Sequence, residues 1–85
     1  MIPRLDSAAE VADAVRFLRY PPDGIRGVAN RTRGAGLGSR GHVEMREIND
    51  RIVGIVQIES PGAVREADQI AAIDGVDVLF VGPTD

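Results

Sequence analysis

Two short apolar runs flanking one helix-like stretch constrain the fold of this 85-residue chain more than any other feature. The first, Ile52-Val53-Gly54-Ile55-Val56-Gln57-Ile58, closes on Glu59; the second, Val78-Leu79-Phe80-Val81-Gly82-Pro83-Thr84, closes on Asp85. The first run is apolar on both faces, as expected of a parallel strand covered on both sides. Strand, crossover helix and strand form a parallel unit whose two strand ends share one sheet edge. Neighbouring strands lie about 4.8 Å apart, so two carboxylates at those ends can grip one cation.

The remaining elements follow from local signals. Ser7-Ala8-Ala9-Glu10 is a capping box opening a first helix, in which Val11, Val15 and Leu18 recur at helical spacing beside Ala8 and Ala14. Tyr20-Pro21-Pro22 stops it, and Asp23-Gly24 turns the chain into a predicted short strand, Ile25 to Ala29. Asn30 to Gly41 is Gly- and Arg-rich without period and reads as a loop. A weaker helix is expected over Val43 to Asp50, with Ile48 inward. Ser60 is a natural N-cap and Pro61 suits the first helical position. Val64, Ala67, Ile70 and Ala71 supply that helix's inward stripe, and Asp74-Gly75 ends it before a strand over Val76 to Val81. The order α-β-α-β-α-β defines an α/β class with parallel strands.

Composition narrows the functions available. Apolar residues make up 44% and charged residues 27%, the balance of a soluble globular chain. A net charge of −3 offers no broad attraction to nucleic acid or an anionic membrane. All ten basic residues are arginine, which reads first as a compositional bias. The absence of cysteine excludes disulfides, thiolate metal sites and cysteine nucleophiles. No apolar run approaches the roughly 20 residues that span a bilayer, and Met1-Ile2-Pro3-Arg4 leads directly into a capped helix, so a cytoplasmic location is expected. A short stretch opening with Met1-Ile2-Pro3 is all that precedes the first helix, where a strand is expected, and no helix follows the last strand. Such a sheet has two open edges, so residues 1–85 are expected to form one part of a larger α/β domain.

Each candidate site has a plainer reading beside it. Glu59 and Asp85 supply the hard oxygen ligands that suit Mg²⁺ or Mn²⁺, and strand C-termini are where α/β folds place their chemistry; two carboxylates capping loops satisfy the same spacing. Gln57 is unusual within an apolar strand, and its amide must orient a ligand or satisfy backbone. Gly82-Pro83-Thr84 can bring backbone amides close to a carboxylate, or form an ordinary turn. Gly36-Leu37-Gly38-Ser39-Arg40-Gly41 is a literal G-x-G-x-x-G with Glu59 18 residues past Gly41. The dinucleotide fingerprint requires its first glycine to leave a strand directly, whereas Asn30 to Ala35 intervene after Ala29. Dinucleotide binding is therefore set aside. Arg26, Arg31, Arg33 and Arg40 read mainly as solvated charges, with Arg26 the exception most suited to an anion. His42, the sole histidine, has no neighbouring nucleophile in sequence.

Three segments, Arg19-Tyr20-Pro21-Pro22-Asp23-Gly24-Ile25-Arg26-Gly27, Val56-Gln57-Ile58-Glu59-Ser60 and Gly75-Val76-Asp77-Val78-Leu79-Phe80-Val81-Gly82-Pro83-Thr84-Asp85, together resemble the HpcH/HpaI aldolase family. These are class II, metal-dependent pyruvate aldolases such as those acting on 2-keto-3-deoxyglucarate or 4-hydroxy-2-oxoheptanedioate. The resemblance spans nearly the whole chain and is weakest over Arg31 to Asp50. It implies a central fragment of a (β/α)8 TIM barrel, about three β/α units of a fold of about 250 residues. It further implies that Glu59 and Asp85 ligate a divalent metal (Mg²⁺, Mn²⁺ or Co²⁺), that Gln57 lies beside the substrate, and that the backbone of Gly82, Pro83 and Thr84 receives the pyruvate carboxylate.

The implied reaction cleaves or forms 2-oxo-3-deoxy or 4-hydroxy-2-oxo acids, with pyruvate and a small aldehyde as partners. The metal serves as the Lewis acid for a pyruvate enolate, and no Schiff-base lysine is needed. The family's base histidine and catalytic arginine lie upstream of Met1, so no catalytic residue is assigned here and the 85 residues alone are expected to be inactive. The full-length protein is expected to be a homo-oligomer. A citrate lyase β or malyl-CoA lyase type shares the barrel and acids, and a non-catalytic remnant is the third reading. The segments Gln57-Ile58-Glu59-Ser60 and Arg19-Tyr20-Pro21-Pro22 favour the aldolase.

Overall fold

The computed structural model describes residues 1–29, 33 and 44–83. Helix α1 (Ala8–Val15) begins where the Ser7 hydroxyl accepts the Glu10 N–H at 3.2 Å. The Glu10 carboxylate reaches back one residue beyond the cap, to the Asp6 N–H at 2.8 Å. The helix buries Val11 and Val15 and tightens into a 3-10 turn over Arg16–Leu18. Helix α2 (Glu44–Arg51) lies close to the predicted span. Strand β1 (Ile55–Ile58) is followed by α3 (Pro61–Arg65), α4 (Ala67–Ala71) and strand β2 (Val78–Val81).

The two strands are parallel, with Ile55, Val56, Gln57 and Ile58 opposite Val78, Leu79, Phe80 and Val81 in turn. On the far side of β1, Ile2 forms a parallel bridge to Val56. Its N–H donates to the Ile55 carbonyl at 2.8 Å, and its carbonyl accepts from the Gln57 N–H at 3.0 Å. The short segment before α1 therefore occupies the position of a strand, and β1 is central.

The expected strand over Ile25 to Ala29 is absent. Its backbone donors are used elsewhere: Ile25 N–H bonds the Arg16 carbonyl at 2.7 Å and Arg26 N–H bonds the Arg19 carbonyl at 2.9 Å. The segment is folded back onto the end of α1, with Ile25 and Val28 exposed. Gly24 makes this possible, since a Cβ there would collide with the carbonyl oxygens of Arg16 and Arg19.

The single crossover helix of the sequence reading is two helices, broken at Glu66 (φ −102°, ψ 12°). Across the break Val64, Ala67 and Ala71 no longer form one stripe. Ala63 and Ile70 are fully buried, while Val64 is 63% exposed. Glu66 gains a distant role: its carboxylate accepts the Ala8 N–H at 2.8 Å and completes the cap of α1.

The core lies on one face of the sheet, where Val11, Val15, Val56, Ile58, Ala63 and Ile70 pack with Leu5, Leu18 and Leu79 around them. Full burial of Val11, Val56 and Ile70 contributes about 1.5–3 kcal/mol each. Strand alternation leaves Ile55 and Gln57 on the other, half-open face, with Val78 and Phe80 beside them. The opposite ends of the strands are locked by Asp77, whose carboxylate accepts the Gly54 N–H at 2.7 Å while its own N–H donates to the Gly54 carbonyl at 2.8 Å. No helix of the described residues is long and apolar enough to cross a membrane.

Candidate metal and substrate site

Both strands end at the same edge, and the groups there are brought together by the parallel register. Gly82 continues the ladder, its N–H donating to the Ile58 carbonyl at 2.9 Å. Gln57 and Glu59, two residues apart along the chain, both flank Gly82. A Cβ built on Gly82 would lie 3.2 Å from Gln57 Nε2 and 3.5 Å from Glu59 Oε2. Only a residue without a side chain leaves that space between the amide and the carboxylate open.

The two oxygens of Glu59 face different neighbours. Oε1 accepts the backbone N–H of Arg4 at 2.7 Å, which fixes the carboxylate against the segment following Ile2. Oε2 is turned towards Gly82, on the β2 side. Arg4 adopts φ 61°, the only non-glycine residue at positive φ among the described residues, a conformation costing about 1–2 kcal/mol. Arg4, Asp6, Glu59 and Ser60 line a polar groove of about 410 Å³ beside this carboxylate. A second groove of about 510 Å³ runs from Glu59 and Ser60 along Ile58, Val64, Val81 and Pro83. Ser60 itself is committed to capping α3, accepting the Ala63 N–H at 3.1 Å.

Of the residues singled out from sequence, Gln57, Glu59, Gly82 and Pro83 converge at this edge. Thr84 and Asp85 lie outside the described residues, as do Arg31, Arg40, His42 and the Gly36–Gly41 motif. Among the described residues no cluster of three or more metal-ligating side chains occurs. The donor chemistry still fits a hard divalent cation. One oxygen of Glu59 is held by a backbone donor, and the other borders a space that a Cβ would fill.

The Arg26 guanidinium stacks over the Tyr20 ring, 4.6 Å from the centroid. Arg19, in the same segment, donates to the Asp74 carboxylate at 2.9 Å, and that bond raises its pKa above the ordinary arginine value. Arg33 is exposed.

Sequence reasoning missed the residue that organises this loop. Asn49, on α2 and 3% exposed, accepts the Tyr20 N–H on Oδ1 at 2.7 Å. Its Nδ2 donates to the Tyr20 carbonyl at 3.0 Å and to the Asp23 carboxylate at 3.2 Å. Its one sequence signal is an uncharged amide beside Ile48 among the charged residues Glu47, Asp50 and Arg51. Arg4 was likewise unremarkable in sequence.

An α/β chain whose central parallel strand delivers an amide and a carboxylate to a glycine on its neighbour carries these groups at the strand C-termini, where α/β folds place their ligands. A profile of the HpcH/HpaI aldolase/citrate lyase family matches residues 1–85, and the chain belongs to that family. It is 48% identical over 89 residues to a hydroxypyruvate/pyruvate aldolase of Paraburkholderia phytofirmans, covering 100% of this chain and 34% of the relative. A 4-hydroxy-2-oxo-heptane-1,7-dioate aldolase of Escherichia coli is 39% identical over 85 residues, with 100% of this chain and 32% of the relative covered. The crystal structure of an HpcH/HpaI aldolase/citrate lyase family protein from Burkholderia cenocepacia superposes with a TM-score of 0.86 at 44% identity, over 98% of this chain and 34% of that one. An HpcH/HpaI aldolase from Desulfitobacterium hafniense gives 0.81 at 36% identity, over 98% and 32%. The chain thus spans about a third of the length of these relatives.

Proposed function

We propose that residues 1–85 are the central part of a (β/α)8 barrel that acts as a divalent-metal-dependent aldolase, releasing pyruvate and an aldehyde from 4-hydroxy-2-oxo or 2-oxo-3-deoxy acids. In this reading the half-open face bearing Gln57 and Phe80 is the barrel interior, and β2 and the segment at Ile2 are edges that further strands continue. The observation that carries it is the approach of both Gln57 Nε2 and Glu59 Oε2 to the side-chain-free space at Gly82. The names of the similar aldolases support the same reaction class.

Glu59 and Asp85 would hold the metal, which when bound supplies Lewis-acid stabilisation for charge developing on the substrate's 2-oxo group. The chain's own groups bind and orient. Gln57 Nε2 can donate to a substrate oxygen at the strand ends. The backbone following Gly82 can receive a carboxylate, because no side chain blocks its approach. Glu59 is held in place by the Arg4 N–H, so its orientation is set before substrate arrives. The proton-transferring base and the catalytic arginine come from barrel strands outside residues 1–85. The protein is read as cytoplasmic and homo-oligomeric.

The test follows, with and without chelator, pyruvate release by the complete barrel protein from 4-hydroxy-2-oxo acids and, in parallel, acetyl-thioester release from malyl and citryl thioesters. The proposal predicts cleavage of the free acids, loss with chelator and restoration by Mg²⁺, Mn²⁺ or Co²⁺. Cleavage of the thioesters alone would assign the protein to the citrate lyase side of its family. No turnover of either class would favour a non-catalytic remnant.

A further inference from the structure

Glu59 stands between two flanks of different chemistry. On the β2 side lie Gly82 and Gln57; on the other side, following Ile2, lies Arg4. Arg4 is the one cationic side chain lining the polar groove, whose other walls are Asp6, Glu59 and Ser60. Among the described residues its guanidinium makes no ion pair; the two ion pairs there belong to Arg16 and Arg19. Its positive φ breaks the extended alternation that would otherwise continue from Ile2, and Glu59 secures that conformation through the Arg4 N–H. Strain at a residue held this way is a mark of a functional position.

We propose that Arg4 sets substrate specificity, its guanidinium taking a carboxylate on the aldehyde-derived end of the substrate; the assignment rests on the aldolase reading above. A substrate lying across the end of β1, with its pyruvate carboxylate at the Gly82 flank, extends its far end towards the Arg4 flank. A guanidinium without an ion pair among the described residues offers there the fork geometry that carboxylates match. Asp6 disfavours a second anion without such a partner, and Glu59 ceases to repel one when its charge is balanced by the cation. The preferred aldehyde therefore carries an acid group.

The experiment compares two 4-hydroxy-2-oxo acids of equal length, one ending in a carboxylate and one in a methyl group, using the complete barrel protein and its Arg4→Met, Arg4→Lys and Arg4→Gly variants. The ratio of kcat/KM for the charged over the neutral substrate should exceed tenfold in the unaltered protein. It should fall at least tenfold in Arg4→Met, mainly through KM, and be partly kept in Arg4→Lys. Arg4→Gly, whose backbone tolerates positive φ, should lose the ratio as Arg4→Met does and so separates charge from folding. Calorimetric titration with a carboxylate-bearing aldehyde should show the same ranking. An unchanged ratio in Arg4→Met and Arg4→Gly, with turnover intact, overturns the role of Arg4 alone. Absence of pyruvate from both substrates in the unaltered protein overturns the aldolase reading, and this inference with it.

Discussion

Replacing Asn49 by alanine should destabilise the protein more than any other single change to a polar side chain described above. Asn49 is almost fully buried and makes three hydrogen bonds, two of them to the backbone of buried Tyr20. The Tyr20 carbonyl keeps a second donor, the Gly24 N–H at 3.2 Å. The Tyr20 N–H keeps none in place of Oδ1, and leaving one buried donor unpaired costs about 1–3 kcal/mol. Adding the lost Nδ2 bonds, at about 1 kcal/mol, gives a destabilisation of roughly 2–4 kcal/mol. For the barrel proposed above, of about 250 residues, that lowers Tm by roughly 4–16 °C, read by calorimetry or circular dichroism. Asn49→Asp is the sharper control. It keeps an acceptor for the Tyr20 N–H but turns a carboxylate oxygen towards the Tyr20 carbonyl and Asp23, so it should lose at least as much. Wild-type stability in Asn49→Asp would refute the assignment of Nδ2 as a donor, and a Tm drop below 2 °C in Asn49→Ala would refute the clamp.

Four further changes test other parts of the account. Gly54→Ala should severely reduce soluble folded protein, because its Cβ would collide with the Gly75 carbonyl oxygen and backbone cannot yield as a side chain can; expression and thermal melting check this. Gly82→Ala should instead fold normally yet bind metal and substrate at least tenfold more weakly, since its Cβ enters the space beside Gln57 Nε2 and Glu59 Oε2. Ser60→Ala should cost about 1 kcal/mol through loss of the α3 cap, seen as a shift in the denaturation midpoint. Arg19→Met should change stability by no more than about 1 kcal/mol, because its partner Asp74 is 92% exposed.

What could be read from the residues was local. Ser7 and Ser60 cap the helices they were expected to cap, and the two apolar runs are parallel strands that carry Glu59 and Gly82 to one edge. The strands are shorter than expected because Val53 and Gly54 precede the ladder, and Val76 and Asp77 lie before β2, where Asp77 is bonded to Gly54. What escaped depends on contacts distant in sequence. Ile25 to Ala29 has a strand's composition, but the Ile25 and Arg26 donors are taken by carbonyls following α1, and Ile2 bridges to β1 from too short a segment to show any period. The break at Glu66 serves a cap 58 residues away. Asn49 and Arg4 are likewise defined by partners on other elements, Tyr20 and Glu59.

The most direct test of the central claim is a Mn²⁺ titration of the complete protein, by calorimetry or electron paramagnetic resonance, beside Glu59→Gln and Asp85→Asn. Glutamine keeps an acceptor for the Arg4 N–H and so preserves the local fold while removing the charge. The account predicts one Mn²⁺ site in the unaltered protein and an affinity at least a hundredfold weaker in each variant, with Tm in the absence of metal unchanged. Wild-type Mn²⁺ affinity in Glu59→Gln would contradict it.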